Sequence, residues 1–386
     1  MKIEVSKKSA LIPPSGIREF FDLVLGMEDI ISLGIGEPDF VTPWNICEAG
    51  IYALEQGYTS YTSNQGLLSL RNTISSYLKK KYNLNYDSKK EILITVGTSE
   101  AYDLAIRALI NPGDEVLIPE PAYVSYYSVT QLAGGKPRYL PVGKSGFKIT
   151  PDILKKAITD KTKVLVLNYP SNPTGVTYTK NELKNIAKIV KSNNLTVISD
   201  EIYGDLTYDF PHTPFPALSG MQERTVYING FSKAFAMTGW RIGYACGPEN
   251  VIDAMNRIHQ YTMLCAPIMS QMAAQEALIK GENVCLDMKK EYKKRREYLV
   301  KRLTDMGLSF PYPDGAFYVF ASVKNTGLTG KEFSFRLLKE KKVAVVPGAA
   351  FGTELHNKYY IRICYTTEFV KLKKALDKIE QFLKEL

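Results

Sequence analysis

The sequence predicts an α/β fold, with a large domain built on a mostly parallel sheet flanked by helices and joined to a smaller α+β domain. Three observations carry this. From residue 91 onward short apolar runs alternate with helical patterns, and strand, helix, strand at that spacing argues for right-handed crossovers and a parallel sheet. After about residue 281 the pattern changes to one long helix, three short strands and a closing helix. The 386 residues, 45% hydrophobic and 23% charged, suffice for two domains with a substantial core and exclude a fibre or a disordered chain.

In order, the chain opens with a loop and a short helix, Ile17–Leu25, stopped by Gly26, followed by a short strand at Ile30 that runs into a glycine turn containing Gly36. Helical spacing covers Trp44–Gly57. A polar loop, Ser60–Gly66, carries Tyr61, and a second helix continues through Lys81. Strands are expected at Glu91–Gly97, Glu115–Pro119, Lys163–Asn168 and Thr196–Glu201, with helices at Ser99–Leu109 and from Thr179 to Lys191, the latter burying Leu183, Ile186, Ala187 and Val190. The alternating run at Val226 and the stretch Ile242–Pro248 read as two more strands. The smaller domain follows: a helix over Glu282–Met306, strands at Gly315–Phe320, Val343–Val346 and Tyr360–Cys364, and an amphipathic helix from Glu368 to Leu386. These patterns set the domains at 44–280 and at 1–43 with 281–386. No repeat or low-complexity tract interrupts them.

In an open α/β sheet, ligands bind beyond the carboxyl ends of the strands. That rule selects Gly97, Thr98, Asn168, Asp200 and the stretch around Lys233 as one rim. Taken alone, Lys233 is an ordinary loop lysine, Gly97-Thr98-Ser99 a capped helix start and Asn168–Gly175 a turn. Together they offer chemistry. An amine among apolar neighbours loses its proton more readily and, once neutral, forms a Schiff base with a carbonyl. Arg241, eight residues on, suits an anion, as do free amides at a helix start. A buried acid at Asp200 can hold a cationic ring nitrogen.

The net charge of +9 is spread over amphipathic helices such as Lys289–Arg296, with no basic tail or stacked aromatic array, so nucleic acid is not an expected partner. Five widely separated cysteines and three scattered histidines give neither a disulfide framework nor a metal site. The N-terminus lacks the apolar core of a signal peptide and no apolar run reaches spanning length, so a cytoplasmic protein with no membrane partner is expected.

The stretches Ser32–Asp39, Asn168–Gly175, Ser199–Tyr203, Phe231–Gly243 and Tyr360–Arg362, in that order, resemble the fold-type I enzymes that use pyridoxal 5′-phosphate, and within them the class I/II aminotransferases. The resemblance implies a seven-stranded sheet in the large domain. It implies catalytic roles for Lys233, which would carry the cofactor and move protons, and for Asp200 and Tyr203. Asp200 would pair with the pyridine nitrogen, Asn172 and Tyr203 with the ring oxygen, and Tyr123 would stack on the ring. Gly97, Thr98, Ser99, Ser232 and Arg241 would surround the phosphate, with Tyr61 arriving from a second subunit of a homodimer. Arg362, with Gly36 and Asn172, would bind the substrate carboxylate.

Two positions depart from relatives of this kind: Gly230 stands where many carry a phosphate-binding serine, and Ser99 where some aspartate-preferring ones carry lysine. Ser15-Gly-Ile-Arg18 and Gly315-Ala-Phe-Tyr318 are similar to prokaryotic enzymes acting on aromatic amino acids or acetylated diaminopimelate. The expected activity is transfer of an α-amino group from an aromatic, broad or aspartate-like L-amino acid to a 2-oxo acid such as 2-oxoglutarate. A carbon–sulfur β-lyase and the ligand-sensing domain of a regulator are the alternatives on the same fold.

Overall fold

The computed structural model describes residues 3–14, 16 and 27–386. The helix expected over Ile17–Leu25 and, apart from Gly16, the Ser15–Arg18 stretch lie outside the described residues.

The strands are β1 (Ile31–Ser32), β2 (Ile92–Thr95), β3 (Glu115–Glu120), β4 (Lys136–Pro141), β5 (Thr162–Asn168), β6 (Thr196–Asp200), β7 (Thr225–Gly230), β8 (Gly243–Cys246), β9 (Tyr318–Ser322), β10 (Val343–Ala344), β11 (Val346–Pro347) and β12 (Tyr360–Cys364). Seven of them form one sheet in the order β2-β8-β7-β6-β5-β3-β4. β4, β3, β5, β6 and β7 pair in parallel, and β8 runs antiparallel to both of its neighbours, β2 and β7. The sheet is therefore mostly parallel, as expected, and the reversed β8 begins at the rim where the parallel strands end. β2, β6, β7 and β8 are almost wholly buried, which is why they read as continuous apolar runs.

The remaining strands are short. β11, β12 and β9 form an antiparallel three-stranded sheet, while β1 pairs in parallel with β10. The single strand expected over Val343–Val346 is two strands in different sheets, because the chain turns away at Val345. A buried cluster joins Leu299, Leu303, Leu372 and Leu376 to Tyr203 and Leu206 at the end of the large sheet. A second joins Phe320 and Val346 to Leu165 and Tyr169. Apolar packing thus runs without a break from the large sheet to the C-terminal elements.

Candidate active site

The parallel strands deliver their last residues to one rim, and a cavity of about 610 Å³ opens there. Gly36, Thr98, Ser99, Tyr123, Asn172 and Asp200 line it, together with Tyr203, Ser232, Lys233, Arg241 and Arg362. Of the residues singled out in the sequence, Gly97 lies just behind the lining and Tyr61 lies away from it on the surface, 83% exposed.

Asp200 ends β6, paired in register with Asn168 at the end of β5. Asn168 donates from Nδ2 to the Asp200 carbonyl (3.0 Å) and accepts from the Asn172 amide at Oδ1 (2.9 Å), so one side chain fixes two predicted residues. The Asp200 carboxylate accepts from Tyr126 Oη at 2.7 Å and from the Ile202 amide at 3.2 Å. Burial lifts its pKa to about 6, opposed by those two hydrogen bonds.

Lys233 follows β7. Its Nζ donates to the Gly36 carbonyl at 2.7 Å, and burial lowers its pKa to about 8, with Glu37 opposing and Arg362 and Arg241 adding to the shift. The shift leaves more of the amine uncharged at neutral pH than in a solvated lysine.

The helix Gly97–Leu109 has no side-chain cap; Val96 occupies the cap position. The capped start that Thr98 and Ser99 suggested is absent, and both sit in the first turn, whose amides have no partner within the helix. Glu100 turns back to accept from the Val96 amide, leaving the rest of that turn facing the cavity. Gly97 (φ +77°) lies so close to Arg241 that a Cβ there would stand 2.7 Å from the guanidinium. At Gly243 a Cβ would stand 2.9 Å from the Thr98 amide nitrogen. A side chain at Gly230 would crowd the Gly243 Cα and the Ile242 carbonyl, each 3.1 Å from a Cβ.

Arg362, on β12, is 2% exposed. It donates to Asn172 Oδ1 at 2.9 Å and to the Gly34 carbonyl, and lies over the Tyr318 ring, 4.6 Å from its centroid. Tyr203 and Tyr318 share a hydrogen bond of 2.8 Å between their hydroxyls, and burial keeps both phenols protonated. The Gly36 carbonyl, which accepts from Lys233, also accepts from Tyr318 Oη at 3.5 Å, and Asp39, three residues on, accepts from the buried Arg295 at 2.7 Å. Sequence reasoning missed Tyr126 and Tyr318 as site residues. The first lies in a helix with no apolar stripe, and the second was noted only as part of a motif.

The family model described as Aminotransferase class I and II matches residues 28–379. The chain is 46% identical to the aspartate aminotransferase of Pyrococcus abyssi, covering 99% of this chain and 98% of that one. It is 43% identical to the aromatic-amino-acid aminotransferase 2 of Thermococcus litoralis, again over 99% and 98%. The solved structure of the aromatic aminotransferase from Pyrococcus horikoshii superposes with a TM-score of 0.90 at 44% identity, covering 96% of this chain and 99% of that one. These matches favour amino transfer over the lyase and sensor alternatives. Among the described residues no group of three or more His, Cys, Asp or Glu side chains can hold a metal ion, and no helix is long and apolar enough to cross a membrane. A mostly parallel sheet with a buried amine and carboxylate at its rim, and full-length similarity to transaminases on both sequence and structure, make this chain a member of the class I and II aminotransferases.

Proposed function

We propose that this aminotransferase works with pyridoxal 5′-phosphate, that Lys233 and Asp200 grip the aldehyde and the pyridine nitrogen, and that an aromatic or broad range of L-amino acids donates to a 2-oxo acid such as 2-oxoglutarate. The observation that carries the reading is the pairing of Lys233 and Asp200 across one cavity, an amine biased toward its neutral form facing a buried carboxylate.

The residues fit the cofactor on three counts. The Asp200 carboxylate has hydrogen-bond donors but no cation in contact, the place a pyridinium N–H takes. Glycines at 97 and 243, where a Cβ would crowd Arg241 and the Thr98 amide nitrogen, let the helix start and Arg241 come close together, and Thr98, Ser99, Ser232 and Arg241 share the lining where a phosphate would sit. Tyr123 lines the cavity with its ring set edge-on to Tyr126, free to cover a flat ligand.

When bound, the cofactor supplies an electron-withdrawing ring conjugated to the substrate's amino nitrogen. The chain does the rest. Arg362 exchanges its bonds to Asn172 and Gly34 for the substrate α-carboxylate, which its planar fork matches. Lys233 Nζ, freed as an amine when the substrate's amino group takes its place on the aldehyde, would take the proton from the substrate α-carbon. Asn172 and Tyr203 would donate to the ring oxygen, and Tyr318 orients Tyr203 through the hydroxyl pair. The two half-reactions follow a ping-pong cycle.

Specificity follows from charge. The cations in the lining are Lys233, Arg241 and Arg362, each already assigned, and position 99 is serine; among the described residues the lining offers a distal carboxylate on the donor no further cation. Relatives named for aspartate and for aromatic amino acids bracket the two donor classes.

We further propose the domain division at 44–280 against 1–43 with 281–386, supported by the pairing of β1 with β10. A homodimer is supported by the exposed apolar side chains Val41, Trp44, Tyr61, Tyr261 and Met263. A cytoplasmic setting is supported by five unpaired cysteines.

Replacing Lys233 with Ala is expected to abolish both turnover and the near-visible absorption of the wild-type holoenzyme. Cofactor uptake by the wild type should speed up as pH rises through about 8, because only the neutral amine attacks the aldehyde. In single-turnover mixing, phenylalanine or tyrosine should discharge the near-visible band faster than aspartate. Full activity of the Lys233→Ala variant defeats the reading of the cofactor, and a faster response to aspartate defeats that of the donor.

A further inference from the structure

The loop between β7 and β8, which carries Lys233 and Arg241, holds two residues in the left-handed region although neither is glycine: Ala236 and Arg241, each at φ +52°. L-residues avoid that region because Cβ crowds the backbone, so the conformation persists only where the surroundings fix it. One hydroxyl reaches both ends of this stretch. Thr42 Oγ1 donates to the Ala236 carbonyl at 2.7 Å and accepts from Trp240 Nε1 at 3.0 Å.

Further contacts hold the same loop. Ser270 Oγ donates to the Trp240 carbonyl at 2.8 Å, immediately before Arg241. The Trp240 ring lies against Gly50 on the helix Trp44–Glu55, where a Cβ would stand 2.7 Å from the indole. The Arg241 guanidinium donates to the Thr238 carbonyl at 3.1 Å, so the course of the loop directly sets where that charge sits. Neither Thr42 nor Trp240 lines the cavity.

We propose that Thr42 and Trp240 are positioning residues: they form a clasp that fixes the loop in its left-handed course and thereby aims Arg241 and Lys233 at the cofactor. This rests on the pyridoxal phosphate reading above. Thr42 is suited to the task because a hydroxyl accepts and donates at once. Valine keeps the shape and loses both bonds, leaving the Ala236 carbonyl and the indole N–H unpaired. Serine keeps both.

The test measures release of pyridoxal 5′-phosphate from the purified holoenzyme, read as the decay of its near-visible absorbance after dilution into a trapping protein. Thr42→Val is expected to release it on the order of tenfold faster than wild type, the effect of losing a part-buried hydrogen-bond pair. Trp240→Phe should shift release in the same direction, and Thr42→Ser should stay within about twofold of wild type, since it restores both bonds. Should Thr42→Val fail to fold, the serine and phenylalanine variants still carry the comparison. Release at the wild-type rate from folded Thr42→Val or Trp240→Phe overturns the clasp, even if their melting temperatures fall. A serine variant as leaky as the valine one overturns it as well. Wild-type protein that takes up no pyridoxal phosphate sinks the cofactor reading itself, and the clasp with it.

Discussion

Asp200 sits where folding alone would not put a carboxylate. Burial raises its pKa from 3.8 to about 6, so between those values the folded cofactor-free protein binds more protons than the unfolded chain. Its stability contribution therefore worsens as pH rises through that window, and the full cost stands at neutral pH, on the order of 3 kcal/mol. Asp200→Asn should make the cofactor-free protein more stable in urea at pH 7, with the advantage shrinking as pH falls from about 6 and gone below about 4, while weakening cofactor affinity; equal or lower stability at pH 7 argues against the assignment. Lys233 and Asp200 were legible in the sequence because a charged residue at the end of an apolar run is unexpected unless it has work to do; Arg362, in the middle of β12, came only with the family resemblance. Tyr126 was not. Its hydroxyl meets Asp200 only through tertiary contact, and an aromatic inside a helix reads as core whatever its oxygen touches.

Between elements, the decisive contact is that of the helix Gly97–Leu109 on the start of β8. Gly243 lets the first turn come close enough that a Cβ would stand 2.8 Å from the Gly97 carbonyl carbon, and both partners there are backbone, which cannot swing aside. Gly243→Ala is expected to cost about 1–3 kcal/mol of stability and to displace the Thr98 and Ser99 amides. The affinity for pyridoxal phosphate should then fall more than that for pyridoxal, which has no phosphate; equal losses for both would remove the helix start from the phosphate site. Legibility at this scale follows burial. The inner strands stood out as apolar runs, whereas β4, an edge strand with only Leu140 buried and prolines at Pro137 and Pro141, carries no such signal and was not foreseen. The helix Ile268–Lys280 was also missed: its buried face is made of Ser270, Gln271, Ala273, Ala274 and Ala277, small or polar residues that draw no hydrophobic stripe.

For the molecule as a whole, the question is whether one chain makes a complete site. Tyr61 is 83% exposed on a loop, and Trp44 and Tyr261 are 69% and 87% exposed, large rings that a monomer gains nothing by leaving in water. A two-fold dimer buries the same patch of both chains at once, and each chain can then lend Tyr61 to its neighbour's cavity. Mixing two damaged proteins tests the exchange. Lys233→Ala lacks the amine in its own cavity but still carries a sound Tyr61; Tyr61→Ala has the amine and lacks the tyrosine it would lend. In a mixed dimer one cavity has both defects and the other has none. If subunits of equal amount reassort at random, half the dimers are mixed and each has one intact site of two, so activity should return to roughly a quarter of wild type. Sedimentation of differently tagged chains verifies that exchange took place. Exchange without any gain over the summed activities of the separate variants would mean that each cavity is completed by its own chain, and the exposed rings would then need another occupant.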